Sequence, residues 1–329
     1  MSVTENPGPI ATPSDQKWSE FKAGDWVLIC SAEEIEATLD VDGRTDGLSF
    51  MPEMAAYCGR AFRIGRAGTT VCINSESNYM GRIDDCFVLQ TKSRCDGSFH
   101  GGCQMACQFL WKSAWLKPSD PLESVDAASD ALNAAGGATA QTELADRLSK
   151  LVKVSPEVYR CQATQLVQIA APTPVHNFKQ YADENRRSGI KLSLIVRYAA
   201  GVVKKKVLRQ SDSVIGTCQR KTPRSTQKLA VGDLVRVKSL EEIKATLNRQ
   251  GCNRGLWFDP DEMAPLCGKE LRVSRVIERL IDERNGKLRG FPSHTVVLSE
   301  IACSGVFKRF CSRGLFHFWR TIWVEKIED

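Results

Sequence analysis

The chain has 329 residues, 42% of them hydrophobic and 26% charged, which is enough apolar material for a core in each of two ordinary domains. Its longest apolar runs, such as Leu192 to Val203, contain Arg197 and fall short of the ~20 residues a bilayer span needs, so no transmembrane segment is expected. The formal net charge of +6 specifies no partner, because one stretch in the middle of the chain carries more positive charge than the whole.

Residues 1–17 are rich in Pro, Ser and Thr, with neither a basic start nor an apolar run, and read as a disordered tail without a secretory signal. A cytoplasmic location is the default expectation. In a reducing compartment thirteen cysteines serve more often as core residues, metal ligands or reactive thiols than as disulfides, and an odd number cannot all pair within one chain.

From residue 18 to about 118 the predicted elements are short. Ala23 to Cys30 reads as a strand, and Ser31-Ala32-Glu33-Glu34 as a helix start with Ser31 at the N-cap and Glu34 closing a capping box. Asp40-Val41-Asp42-Gly43 ends that helix. A helical turn fits Pro52 to Tyr57, with Gly59 after Cys58 as its stop. Arg60 to Arg66 mixes apolar and basic residues, Cys86 to Thr91 is a further apolar strand, and Phe109 to Lys117 carries Trp111 and Trp115. Four apart in a strand, the two indoles share a face, either as core or as a stacking surface for bases or sugars beside Lys112.

The character then changes. Residues 119–143, rich in Ala, Ser, Asp and Gly, read as a flexible linker, and residues 144–225 as a helical and basic connector. Apolar residues recur there at helical spacing (Leu148, Leu151, Val152, then Val158, Tyr159, Leu166), and Pro156 suits a first helical turn. Between Arg186 and Lys228 twelve Lys or Arg residues stand against one acid, Asp212. Ile190 to Arg209 is patterned as an amphipathic helix. Residues 186–228 therefore suit either a solvated connector or contact with an anionic partner, a membrane surface or a nucleic-acid backbone.

Residues 226–329 repeat the first unit about 208 positions further on. Gly24-Asp25-Trp26-Val27 answers to Gly232-Asp233-Leu234-Val235, and Glu33-Glu34-Ile35 to Glu241-Glu242-Ile243. Pro52 answers to Pro260, Cys58-Gly59 to Cys267-Gly268, Cys95 to Cys303, Cys103 to Cys311, Trp111 to Trp319 and Trp115 to Trp323. Matched Gly, Pro, Trp and Cys positions mean a shared core, shared turns and a shared set of thiols. Strands are expected over 233–238, 270–277, 295–300 and 318–325. The fold class that follows is mainly β with an α connector: two small SH3-like β-barrel repeats in tandem.

The cysteines are the candidate functional residues. In Cys-Asp-Gly-Ser-Phe-His-Gly-Gly-Cys-Gln-Met-Ala-Cys, residues 95–107, Cys103 and Cys107 would share a face if the segment were helical, after a tight turn at Gly101-Gly102. Four thiolates suit zinc or an iron-sulfur cluster. Two groups of four can be assembled: Cys58, Cys95, Cys103 and Cys107 in the first repeat, and Cys267, Cys303 and Cys311 in the second with Cys161 from the connector. The competing reading makes these cysteines small apolar core residues, and a third makes them redox or disulfide pairs. His100 reads as a capping or surface residue more readily than as a ligand, since Lys308 stands in its place in the second repeat. Cys72 has Ile281 as its nearest counterpart and Cys107 has Leu315. No Walker loop, dinucleotide fingerprint, His-Glu-x-x-His or Gly-x-Ser-x-Gly occurs in the sequence.

Three phrases resemble those of uncharacterised bacterial proteins: Cys-Asp-Gly-x-x-His-Gly-Gly-Cys-Gln at 95–104, Tyr-x-Cys-Gln-Ala-Thr at 159–164, and Gly-Leu-x-Phe at 47–50 and 255–258. The resemblance implies a bacterial protein and carries no activity with it. The expectation is a binding or scaffold protein whose barrels are fastened by thiolate metal sites, zinc first and iron-sulfur second. A metal- or cluster-dependent enzyme or electron-transfer protein is the first alternative, and a nucleic-acid-binding module the second.

Overall fold

Both repeats open on a glycine in the left-handed region, Gly24 (φ +96°) and Gly232 (φ +97°), whose amides donate to Ile64 and Val273 and start a sheet. The computed structural model describes residues 21–73, 80–91, 94–120, 135–173, 178–207, 214–219 and 221–327. The expected tail at 1–17 and most of the linker at 119–143 lie outside the described residues, as do 208–213 and 220 of the basic stretch. The chain is mainly β with a few helices. Among the described residues no helix is long and apolar enough to cross a membrane.

The first repeat runs β1 (Trp26–Ile29), α1 (Ala32–Thr38), β2 (Arg44–Thr45), β3 (Leu48–Ser49), a 3-10 turn (Pro52–Tyr57), β4 (Ala61–Cys72), β5 (Met80–Leu89), a second 3-10 turn (Ser113–Trp115) and β6 (Leu116–Pro118). Ser31 and Glu34 close the capping box of α1 as the sequence predicts. Between β2 and β3, Asp46 (φ +48°) and Gly47 (φ +78°) make the two-residue turn that right-twisted hairpins favour. That turn delivers Phe50 edge-on to both indoles, 6.0 Å from Trp111 and 5.1 Å from Trp115. Trp115 Nε1 donates to Thr38 and Thr45. The Gly-Leu-x-Phe phrase is therefore a turn plus a core aromatic. Trp111 and Trp115 are 1% and 0% exposed, so they form core and offer no stacking face. They do not share a strand face either, because the 3-10 turn intervenes.

The connector supplies α2 (Ala135–Val152), β7 (Lys153–Ser155), β8 (Val158–Tyr159), α3 (Gln162–Ile169), β9 (Ala171–Pro172), α4 (Phe178–Ser188) and α5 (Leu192–Val207). Much of it belongs physically to the first repeat. Leu144, Leu148, Val152, Leu166 and Ala170 join its core, and β9 extends its sheet to the order β6-β1-β4-β5-β9. Pro156 sits in the β7–β8 turn instead of opening a helix: it precedes Glu157, at φ +62°, as in a type II turn. In the Tyr-x-Cys-Gln-Ala-Thr phrase, Gln162 donates to the carbonyls of Ser49 and Leu110 (2.9 Å each) and accepts from Leu110 N–H (2.9 Å). Thr164 caps the helix by accepting from Cys161 N–H. Helix α4, with Arg186 and Arg187 of the basic stretch, lies against β4: Gln180 donates to Thr70, Thr70 donates to Glu184, and Ser188 donates to the Ala67 carbonyl.

The second repeat runs β10 (Leu234–Val237), α6 (Leu240–Lys244), β11 (Cys252–Asn253), β12 (Leu256–Trp257), a 3-10 turn (Ala264–Leu266), β13 (Glu270–Ile281), β14 (Leu288–Ala302), β15 (Phe316–Arg320), a 3-10 turn (Thr321–Trp323) and β16 (Val324–Lys326). Its sheet order is β16-β10-β13-β14-β15. Matched positions make matched contacts. Trp26 pairs with Arg63 as Leu234 does with Arg272, Val27 pairs with Pro118 as Val235 does with Lys326, and Phe87 bridges Trp111 as Val296 pairs with Trp319.

The repeats dock on each other reciprocally. Gln104 N–H donates to Arg279 O (3.1 Å), and its counterpart Ser312 N–H donates to Thr70 O (2.8 Å). The Cys103 sulfur accepts from Ile281 N–H (3.4 Å), and its counterpart Cys311 accepts from Cys72 N–H (3.2 Å). Each cysteine loop thus sits on the long hairpin of the other repeat, the pattern of a two-fold interface within one chain.

Gln162→Leu keeps the volume but orphans the buried N–H and C=O of Leu110 and the carbonyl of Ser49, at about 1–3 kcal/mol for each group left unpaired. A lower urea midpoint with an unchanged slope is expected; an unchanged midpoint would dismiss the anchoring role.

Candidate metal centre

The first repeat's cysteine loop folds back on itself. Cys95 N–H donates to Cys107 O (2.9 Å), His100 N–H to Gly97 O (2.9 Å) and Cys103 N–H to His100 O (3.3 Å). Gly97, at φ +78°, passes so close to Cys103 that a Cβ would lie 2.1 Å from its carbonyl oxygen. The segment is not helical, so Cys103 and Cys107 are placed by the loop and not by a helix face. This fold lays His100 over Cys95. On the facing side, Pro52 opens the 3-10 turn that carries Glu53, and Met51 N–H donating to Met54 Sδ (3.3 Å) holds that turn.

Three unlike donors meet there. Cys95 Sγ lies 3.5 Å from Glu53 Oε1 and 3.6 Å from His100 Nδ1, and the last two atoms are 3.4 Å apart. Among the described residues no other three His, Cys, Asp or Glu donors gather within 4.8 Å of one another. His100 is 1% exposed, so it is no surface or capping residue. Two buried polar atoms of the group, Glu53 Oε2 and His100 Nε2, have no hydrogen-bond partner. Burial and the neighbouring Glu53 carboxylate push the Cys95 thiol far up, so without a cation this sulfur stays protonated.

Beside the three donors is a small cavity of about 30 Å³, room for a water molecule, lined by Met51, Cys103, Cys107 and Cys161 and by Ile281 and Glu283 of the second repeat. In comparisons with known proteins, no family model, curated protein or solved structure matches the chain. Its chemistry is thus argued from these residues alone.

The remaining candidate cysteines fall elsewhere than in the two expected groups of four. Cys58 is core: burial raises its thiol to about 12, and its carbonyl accepts from Gln141. Cys161 belongs with Cys95, Cys103 and Cys107 and not with Cys303 and Cys311, because α3 is anchored on the first repeat through Gln162. Cys267 is half-buried against the first turn of α6. Cys303 repeats the Cys95 arrangement in part: its sulfur approaches Glu262 Oε1 (3.9 Å), and His317 Nε2 lies 3.7 Å from Glu262 Oε2. Lys308, in the place of His100, pairs with Asp259 (3.6 Å) and lies over the Trp257 ring. Cys311 has turned to Cys72.

The sequence reading passes over Glu53. A signal exists, since Pro52-Glu53-Met54 and Pro260-Asp261-Glu262-Met263 keep Glu-Met ahead of Cys-Gly in both repeats, with one residue inserted in the second.

The buried thiols make stability depend on pH. Folding raises Cys58 and Cys303 to about 12 and Cys161 to about 11, mainly through burial, from an ordinary 9.0. The folded state then holds protons that the unfolded chain releases above about pH 9, so their contribution is complete below that pH and is lost as pH rises through 11 to 12. Urea midpoints of metal-free protein should fall steadily from pH 8.5 to pH 10.5 by this reckoning (about one proton per thiol). A flat profile would contradict it.

Proposed function

We propose that the chain is a binding or scaffold protein whose first repeat is fastened by zinc, held by Glu53, Cys95 and His100 with a fourth position open to the Cys103, Cys107 and Cys161 cavity. One observation carries the proposal. Tetrahedral zinc with sulfur at ~2.3 Å, nitrogen at ~2.0–2.1 Å and oxygen at ~2.0–2.2 Å sets its donors about 3.5–3.6 Å (S to N), about 3.5–3.7 Å (S to O) and about 3.3–3.5 Å (N to O) apart. The separations found are 3.6, 3.5 and 3.4 Å. A cation also resolves the electrostatics, because it replaces a neutral buried thiol beside a carboxylate with a thiolate beside a dication.

The same three groups read as a nucleophilic thiol with its base fare worse, since the raised Cys95 thiol opposes thiolate formation. An iron-sulfur cluster would draw on Cys95, Cys103, Cys107 and Cys161 around the cavity, and the mixed S, N and O set favours zinc over it. In this reading the two five-stranded sheets are SH3-like barrels, and the zinc site pins the cysteine loop of the first in the position where it meets the second.

A second reading rests on α5. Leu192, Val196, Val203 and Val207 are 60–73% exposed and fall on one helical face, beside exposed Arg197 and Lys204. An apolar stripe edged with cations fits an anionic lipid surface better than a nucleic-acid backbone. Cosedimentation with phosphatidylserine vesicles, lost in a Val196→Asp, Val203→Asp variant that remains folded, is the expected result; equal sedimentation of that variant would reject it.

Metal analysis tests the zinc site directly. Protein purified without chelator should hold one zinc per chain, Cys95→Ser and His100→Ala should each lower that content, and Cys58→Ser should leave it unchanged. Free zinc at about a hundred times its dissociation constant should stabilise the fold by about 2.7 kcal/mol. Zinc retained by Cys95→Ser, or none taken up by wild type, would refute the assignment.

A further inference from the structure

The two-fold docking of the repeats is broken at one place, and the break creates a pair of thiols. Where Ile281 N–H donates to the Cys103 sulfur, the matched contact is Cys72 N–H donating to the Cys311 sulfur at 3.2 Å. The two thiols also act on each other's titration: Cys311 lowers Cys72, and Cys72 raises Cys311. Arg313 reaches the same point. Its Nη1 donates to Cys72 O (3.0 Å) and approaches Cys72 Sγ (3.7 Å).

That guanidinium is fixed by a two-pronged ion pair to Glu283 (3.0 and 2.5 Å), with side-chain exposures of 5% and 9%. The loop that presents Cys311 is strained. Arg309 (φ +48°) and Phe310 (φ +61°) adopt the left-handed backbone that glycines hold in the first repeat, at Gly101 (φ +62°) and Gly102 (φ +76°). Phe310 is wedged against Tyr181 and Tyr198, which maintains that shape. Cys72 is partly exposed and Cys311 is buried.

We propose that Cys72 and Cys311 form a peroxide-responsive dithiol, in which Cys72 is the attacking thiolate, Cys311 the resolving thiol, and the resulting disulfide ties the two repeats together. The Cys72 sulfur attacks the terminal oxygen of a hydroperoxide, the O–O bond breaks, the leaving alkoxide or hydroxide takes a proton, and Cys72 becomes a sulfenic acid. The Cys311 sulfur then attacks the Cys72 sulfur and expels water. Two thiols and one hydroperoxide give one disulfide, one alcohol (or water) and one water. Two electrons pass from the sulfurs to the peroxide. The electrostatics agree: the Cys311 hydrogen bond and the Arg313 cation hold the Cys72 thiol well below the ordinary range against the cost of burial, while Cys311 is held above it. The other charged or titratable groups facing the pair are Glu283, Arg66, which donates to Cys311 O (3.3 Å), and Cys303.

The pair shares no residue with Glu53, Cys95 and His100, so it stands or falls apart from the zinc reading. The test uses full-length protein as purified, treated with stoichiometric hydrogen peroxide, quenched with an alkylating agent and mapped by non-reducing peptide mass spectrometry. A dithiothreitol-reversible link between the peptides of Cys72 and Cys311 is expected in wild type, with complete loss in Cys72→Ser. Cys311→Ser should stop at a dimedone-trapped sulfenic acid on Cys72. In untreated protein the alkylation rate of Cys72 should level off at least about one pH unit below that of Cys252, and Arg313→Lys should narrow that gap. Peroxide that leaves both thiols reduced, or alkylation of Cys72 with the same pH profile as Cys252, would overturn the proposal.

Discussion

Reciprocal docking of the cysteine loops on the long hairpins is the contact on which the rest of the molecule depends. Gln104 on Arg279 and Ser312 on Thr70 are backbone-to-backbone bonds between repeats, so they fix the loops whatever side chains the loops carry. The cavity beside Cys95 is lined in part by Ile281 and Glu283 from the other repeat. The Arg313–Glu283 ion pair lies within the second repeat at the same junction, and Arg313 reaches across it to donate to Cys72 O on β4. The Cys72–Cys311 pair needs both repeats, and the Cys95 cavity takes two of its walls from the second. The duplication is therefore functional in the packing sense: each copy completes the environment of the other's loop.

Burial decides what the thiols do there. A sulfur removed from water favours its neutral form, and a carboxylate alongside favours it further, as at Cys95. A fixed cation reverses the balance. At Cys72 the cation is built in as Arg313, whose own burial is offset by Glu283. At Cys95 the chain supplies a carboxylate and an imidazole instead. Two sulfurs near one junction are thus shifted in opposite directions by the charge placed next to each.

How far the sequence reveals this depends on whether a feature is local. The capping boxes of Ser31 and Ser239, the 3-10 turn at Pro52 and the tight turn at Gly101-Gly102 are set by neighbours within four residues, and all are readable. The long hairpins are underestimated because Gly65, Gly68 and the charged residues of β4 and β5 interrupt the apolar pattern. The connector is misjudged for another reason. Its helices look like a spacer in sequence, but Gln162, Gln165 and Glu184 are buried polar residues whose partners lie about 110 residues away in the first repeat, and no periodicity reports that. The cysteine grouping fails by the same logic. Matching Cys58 with Cys267 is sound as an alignment, yet each follows a 3-10 turn, Cys58 packed into the core and Cys267 half-buried beside α6.

The two copies also show what duplication leaves free to change. Gly97 and Gly305 are held by the same clash, a Cβ falling 2.1 Å from Cys103 O in one and 2.0 Å from Cys311 O in the other, so the loop backbone cannot drift. Side chains mounted on that backbone can. Where the first repeat has His100 the second has Lys308, a cation that pairs with Asp259. Cys107 has become Leu315, and across the junction Ile281 stands where the first repeat has Cys72. Each exchange is neutral to the loop's hydrogen bonds and decisive for its sulfur. A rigid backbone with exchangeable side chains thereby lets one loop gather Glu53, Cys95 and His100 while its twin sets Cys311 against Cys72, and exchanging His100 and Lys308 should leave the slope of the urea transition and the Cys72–Cys311 contact unchanged while removing the imidazole from Cys95.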